Sequence, residues 1–163
     1  MTKPLWAPWR LEYIAQAGEQ EGCVFCAEAA GELGEDSLVV ARRAHGLALL
    51  NKFPYASGHL MVAPLRHIGE LSELTPVEVA ELHDLTTAAI DALGRLYAPD
   101  AFNVGWNLGA VAGGSIAAHL HEHVVPRWAG DTNFMPVLAD VKVMPEHLLA
   151  TRDRLRDAWP APP

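Results

Sequence analysis

From residue 37 onward, short apolar runs alternate with turn residues, and the runs have strand length. Residues 37–41 (Ser-Leu-Val-Val-Ala) and 47–51 (Leu-Ala-Leu-Leu-Asn) flank an Arg-Arg-Ala-His-Gly turn ending at Gly46, which predicts a hairpin. A third run, residues 59–64, follows the loop from Pro54 to Gly58. The pattern then changes period. Thr75 reads as an N-cap, Pro76 as the first helical residue and Glu78 as the closing member of a capping box. Leu82, Leu85, Ala89, Leu93 and Leu96 recur at three and four residues, so a long helix with one apolar stripe should end near Tyr97 and Pro99. Residues 101–107 predict a fourth strand, and a fifth should end at Pro126, which cannot donate to a sheet ladder. Residues 26–30 have the composition of one short helix, and residues 145–159 carry a further helical pattern. This order predicts an α+β domain: an antiparallel sheet of about five strands with one long helix packed on it.

The fifth strand carries the chemistry. In His119-Leu120-His121-Glu122-His123 the three histidines stand two residues apart, so in an extended strand they would share one face. Two chemical readings follow: a metal site, or an imidazole acting as nucleophile or base. Just upstream runs Asn107-Leu108-Gly109-Ala110-Val111-Ala112-Gly113-Gly114-Ser115. Glycines let the backbone turn its amides toward an anion, so this stretch resembles a phosphate cradle leading into a row of imidazoles.

The 163 residues fit one domain, with 50% hydrophobic residues to build a core. We read residues 1–163 as that domain, with an N-terminal arm over 1–22 and a C-terminal extension over 129–163. A formal charge of −8 leaves no basic footprint for a nucleic-acid backbone, though a small phosphorylated ligand held by local dipoles is compatible. No apolar run approaches the roughly 18 residues needed to span a bilayer, and the N-terminus lacks a basic segment followed by an apolar one. These features predict a cytoplasmic protein without a membrane partner. The arm contains Trp6, Trp9 and Tyr13 around Pro8, too much apolar area to leave in water, and should pack on its own domain or on a partner subunit. Two cysteines are too few for a disulfide scaffold. Their spacing in Cys23-Val24-Phe25-Cys26 suits half of a metal site, a reduced thiol pair under the sheet, or a redox pair.

Three alternating histidines followed by two valines, after a Gly-Gly loop, resemble the histidine triad superfamily of nucleotide hydrolases and nucleotidyltransferases. Two positions depart from its usual pattern: Glu122, normally apolar, and Ser115, often Gln. The segment from Leu50 to Pro64 resembles the dinucleoside polyphosphate branch, the diadenosine tetraphosphate hydrolase and phosphorylase group. That similarity runs from Leu5-Trp6-Ala7-Pro8-Trp9-Arg10 through Asn103-Val104-Gly105 to Pro126-Arg127-Trp128.

The resemblance implies a HIT-like fold whose sheet continues across a homodimer, and a small nucleotide as substrate. It makes His121 the nucleophile, forming a nucleotidyl-histidine intermediate that water or phosphate then resolves, with His119 and His123 beside it. Asn51 would contact the ribose and His59 would support the site. The amides of Gly113 and Gly114, with Ser115, Asn107 and protonated His59 or His123, would meet the charge that builds on phosphoryl oxygens. No metal is expected in the chemical step. A structural zinc, by the same resemblance, would be held by Cys23, Cys26, His67 and His119. Three readings compete with this one: a nucleoside phosphoramidate hydrolase, a nucleotide-binding interaction protein without catalysis, and a three-histidine iron or copper site.

Overall fold

The protein was analysed as a computed structural model, which describes residues 22–31, 34–112, 118–131 and 146–161. The predicted N-terminal arm up to residue 21 and the glycine-loop residues Gly113, Gly114 and Ser115 lie outside the described residues. The elements in order are α1 (Val24–Ala30), β1 (Val39–Arg42), β2 (Gly46–Leu50), β3 (Leu60–Pro64), α2 (Pro76–Tyr97), β4 (Ala101–Trp106), β5 (Glu122–Arg127) and α3 (Leu148–Ala158). The five strands form one sheet in the order β1-β2-β3-β5-β4, with every described pairing antiparallel. This is the predicted α+β arrangement. The last strand is inserted between β3 and β4, so the histidine motif sits inside the sheet and not at its rim.

β2 and β3 are buried along their whole length because both faces of the sheet are covered. On one face Ala48, Leu50, Leu60, Val62 and Val124 pack against Leu82, Leu85, Ala89, Ala92 and Leu93 of α2 and Leu155 of α3. On the other, Leu47, Leu49, Met61 and Ala63 pack against Phe25 and Ala29 of α1. The capping box forms as the sequence predicts: the Thr75 side chain accepts from Glu78 N–H and the Glu78 carboxylate accepts from Thr75 N–H. The long helix ends at Ala98 in the left-handed region (φ 43°).

Several boundaries differ from expectation. Gly46 opens β2, paired with Pro64, and does not close the preceding turn. A Cβ there would stand 2.9 Å from Leu85 Cδ1 and 3.0 Å from Leu82 Cδ2, so a larger residue would push these α2 side chains aside. The short helix begins at Val24, so Cys26 lies within it. Asn107 falls just past the end of β4. The largest correction concerns the triad: β5 starts at Glu122, so His119 and His121 precede the strand. Leu120 N–H donates to Ile68 O at 2.7 Å, outside the β3–β5 register, and this bond diverts the chain before the strand begins. The three histidines therefore do not share one strand face.

The predicted C-terminal helix is α3. Arg152 and Arg156 reach from it to the first strand: Arg152 donates to the carbonyls of Glu35 and Ser37, and Arg156 Nε donates to Val39 O at 2.9 Å.

Candidate functional site

His119 is fully buried and turns toward the cysteines. Its Nδ1 lies 3.3 Å from Cys23 Sγ, 3.6 Å from Cys26 Sγ and 3.3 Å from His67 Nδ1, and Cys26 Sγ lies 3.2 Å from His67 Nδ1. One ligand atom from each of the four residues falls within 4.8 Å of every other. With metal–sulfur and metal–nitrogen bonds of about 2.3 and 2.0 Å, the edges of a tetrahedral zinc site are roughly 3.3–3.8 Å, so these separations match such a site. His119 Nε2 faces Pro64 O at 2.9 Å. Donating there puts the ring proton on Nε2 and leaves the Nδ1 lone pair aimed into the cluster, the outer hydrogen bond expected of a metal-bound imidazole. Burial, aided by neighbouring Cys23, pushes the Cys26 thiol up. A divalent cation would reverse this by stabilising the thiolate.

His121 lies next door on a separate network. Its Nδ1 is 2.8 Å from the His119 carbonyl, so Nδ1 carries the proton and the lone pair is on Nε2. Burial holds this imidazole below its ordinary range, so the ring is neutral near pH 7. The Phe25 ring packs at 4.9 Å on His121 and at 5.0 Å on His119.

His123, the one triad histidine that falls within β5, pairs with Met61 and points to the same face as His59. Gly58, just before His59, has φ 77°, and a Cβ on it would stand 2.7 Å from Leu93 Cδ2. The turn that delivers His59 therefore requires glycine. Tyr55 N–H donates to His59 Nδ1 at 3.0 Å, and the Tyr55 ring stacks on the imidazole at 4.8 Å. The proton of neutral His59 consequently sits on Nε2, 3.0 Å from His123 Nδ1. His123 then accepts at Nδ1 and bears its own proton on Nε2, which lies 3.2 Å from Asn107 Nδ2. Two donors would meet there. Turning the Asn107 carboxamide so that Oδ1 faces His123 satisfies every group along the chain.

A cleft of about 760 Å³ opens beside His123 and runs along β4 and β5, lined by Tyr55, Ser57, Asn103, Trp106, Asn107, Arg127 and Trp128 among others. It lies within the size range of small-molecule sites. Asn51 stands at the end of β2 with Oδ1 accepting from Phe53 N–H at 2.9 Å, so its oxygen serves the turn. Glu122 points the opposite way, to α2, and accepts from the buried Thr86 hydroxyl at 2.6 Å. A polar pair across the helix–sheet interface thus replaces an apolar contact. His83 is exposed on α2.

The fold brings His59, His121, His123 and Asn107 to one place, and Cys23, Cys26, His67 and His119 to another beside it. Phe25, Tyr55 and the Pro64 carbonyl were not singled out from sequence. Their roles come from contacts across the sheet, and only the position of Phe25 between the two cysteines could have pointed to one of them.

An antiparallel sheet with a covering helix, imidazoles at the start of an inner strand and a Cys2His2 cluster behind them defines a class of histidine-based sites. The comparisons with known proteins match it. Residues 32–130 match the HIT domain family. A protein named "AP-4-A phosphorylase" from Mycobacterium tuberculosis is 44% identical over 166 residues, 98% of this chain and 85% of the relative. A Zn-bound histidine triad family protein from Mycobacterium smegmatis superposes with a TM-score of 0.67 at 27% identity, covering 84% of this chain and 92% of that one. A structure described as a hypothetical histidine triad nucleotide-binding protein from Sulfolobus tokodaii gives a TM-score of 0.68 at 25% identity, over 83% and 91% of the two chains. The chain belongs to the HIT domain family.

Proposed function

We propose that the protein cleaves dinucleoside polyphosphates, with diadenosine tetraphosphate as the representative substrate and inorganic phosphate as the acceptor. The observation that carries this reading is the 44% identity, over nearly the whole chain, to a relative named for that activity. The geometry of His121 supports the chemistry. Its Nε2 lone pair attacks the α-phosphorus, an N–P bond forms, and the P–O bond to the rest of the polyphosphate breaks. The bonding electrons leave with ATP, and in this reading His123 Nε2–H leaves its bond to Asn107 to donate to the departing oxygen. A phosphate oxygen then attacks the nucleotidyl-histidine, the N–P bond breaks, and ADP is released. Neutrality of His121 suits it to the first step, since a protonated imidazole has no lone pair to offer.

By the family resemblance Asn51 binds ribose, His59 orients His123, and Asn107 with Gly113, Gly114 and Ser115 receives the phosphoryl oxygens. Cys23, Cys26, His67 and His119 hold a structural zinc that takes no part in bond making. The sheet continues into a second copy as a homodimer, and residues 1–163 act as one domain. None of the described helices is long and apolar enough to cross a membrane, and we place the protein in the cytoplasm. An epitope-tagged copy recovered with membranes or outside the cell would contradict that placement.

Incubating the protein with diadenosine tetraphosphate and resolving the products tests the activity. ADP plus ATP, appearing only with phosphate, is expected; AMP plus ATP would identify water as the acceptor and refute the phosphorylase assignment. His121→Ala should lower turnover by on the order of 10³-fold or more. Normal turnover in that variant would remove His121 as nucleophile.

A further inference from the structure

Phe25 lies between the two cysteines of the Cys23–Cys26 knuckle, fully buried, with its ring tilted 31° against His121 at 4.9 Å and 36° against His119 at 5.0 Å. Because it sits in the first turn of α1, between Cys23 and Cys26, its backbone is held by the sheet-packed helix on one side and by the cysteine cluster on the other. His121 has one directional tether on its own chain, the bond from Nδ1 to the His119 carbonyl. One hydrogen bond lets an imidazole swing about the donor–acceptor line, and such a swing would carry Nε2 out of line with a phosphorus atom. The second constraint is a flat surface: Phe25 covers one side of the ring, while His123 stands edge-on at 5.0 Å and 72°.

We propose that Phe25 is a positioning residue for the nucleophile, and that the cysteine knuckle acts as a wedge carrying its ring against His121. Ligation of His119 and orientation of His121 are thereby joined. The same peptide supplies a nitrogen to the cluster from its side chain and an acceptor to His121 from its carbonyl, and the same four-residue knuckle supplies two sulfurs and the ring. This role rests on the reading of His121 as the attacking imidazole. It extends that reading to a side chain that touches no substrate.

Phe25→Leu tests it, because leucine keeps buried apolar bulk under the sheet and removes only the flat ring. The expected result is an unchanged zinc content, KM within about twofold and kcat lower by about 10- to 100-fold, the scale on which a reacting group displaced by about 1 Å loses rate. Nitrogen-15 spectra of the histidine rings supply a readout that needs no turnover. In the parent protein His121 should show one sharp set of ring signals with its proton on Nδ1, and in Phe25→Leu the same tautomer with Nε2 and ring-carbon signals broadened or shifted as the ring swings about that bond. Unchanged kcat and unchanged sharp ring signals in the variant, with zinc in place, would overturn the proposal. So would a loss of kcat that follows loss of zinc and returns when zinc is added. If the parent protein cleaves no dinucleoside polyphosphate, the proposed function fails, and the nitrogen spectra alone still decide the role of Phe25.

Discussion

At the scale of single residues, the tautomer of each imidazole is set by one hydrogen-bonded neighbour. Pro64 O fixes His119, the His119 carbonyl fixes His121, and Tyr55 N–H fixes His59, which in turn fixes His123. Three of these four partners are backbone groups, and two of the four, Pro64 O and the His59 ring, lie far along the chain from the imidazole they fix. A pairing of another kind governs pH behaviour. Glu78 is 3% exposed and accepts from Arg66 Nε at 2.6 Å and Nη2 at 2.7 Å, besides closing the capping box. Hydrogen bonding from Arg66, with a further share from Thr75, brings its carboxyl down to about 2. A carboxyl lowered in the folded state stabilises the fold above its unfolded value and ceases to do so as pH falls through its folded value. Thermal unfolding between pH 5 and pH 2 should therefore show a loss on the order of 1–2 kcal/mol from this group, reduced from the full linkage value because Arg66 is half exposed to solvent. Glu78→Gln should flatten that part of the profile. An equal slope in the variant would mean that the pair contributes nothing.

At the scale of elements, the two edges of the sheet are treated differently. Beside β1, the carbonyls of Glu35, Ser37 and Val39 receive guanidinium groups from α3, which occupies acceptors that another strand could have used. β4 is covered by no described element on its outer side: it pairs with β5, and Val104 on it is 44% exposed. An open edge with an exposed β-branched residue invites a second strand. The homodimer we propose should join there. Light scattering should give about twice the 17.7 kDa chain mass, and Val104→Lys should shift the protein toward the monomer. A parent protein that is monomeric at micromolar concentration would exclude the arrangement.

At the scale of the whole molecule, the Cys2His2 cluster ties α1, the loop after β3 and the approach to β5, segments as many as 96 residues apart. A metal bound to the folded chain but not to the unfolded one adds its binding free energy to stability. Protein prepared without chelator should contain about one zinc per chain, and chelation should lower its melting temperature. Cys23→Ser should fall below a few tenths of a zinc per chain. A metal-free preparation with the same melting temperature in chelator would show that the four residues hold no zinc.

Local pattern was enough for what depends on local pattern. The apolar stripe from Leu82 to Leu93 and the Thr75–Glu78 capping box set out α2, because helix period and caps are made by neighbours in the chain. The resemblance carried by the histidines and the Gly-Gly loop was enough for the family and for the four candidate metal ligands. The alternation of the histidines, however, suggested one strand with one face, and tertiary bonding decided otherwise. The Leu120 amide is committed to Ile68, so the strand starts at Glu122 and His119 is released toward the cysteines. Alternation describes side chains only while the backbone stays extended and paired. Which imidazole meets a sulfur, which a carbonyl and which another imidazole is settled by partners in strands and loops far along the chain, and the sheet order that brings those partners together is not written in any local period.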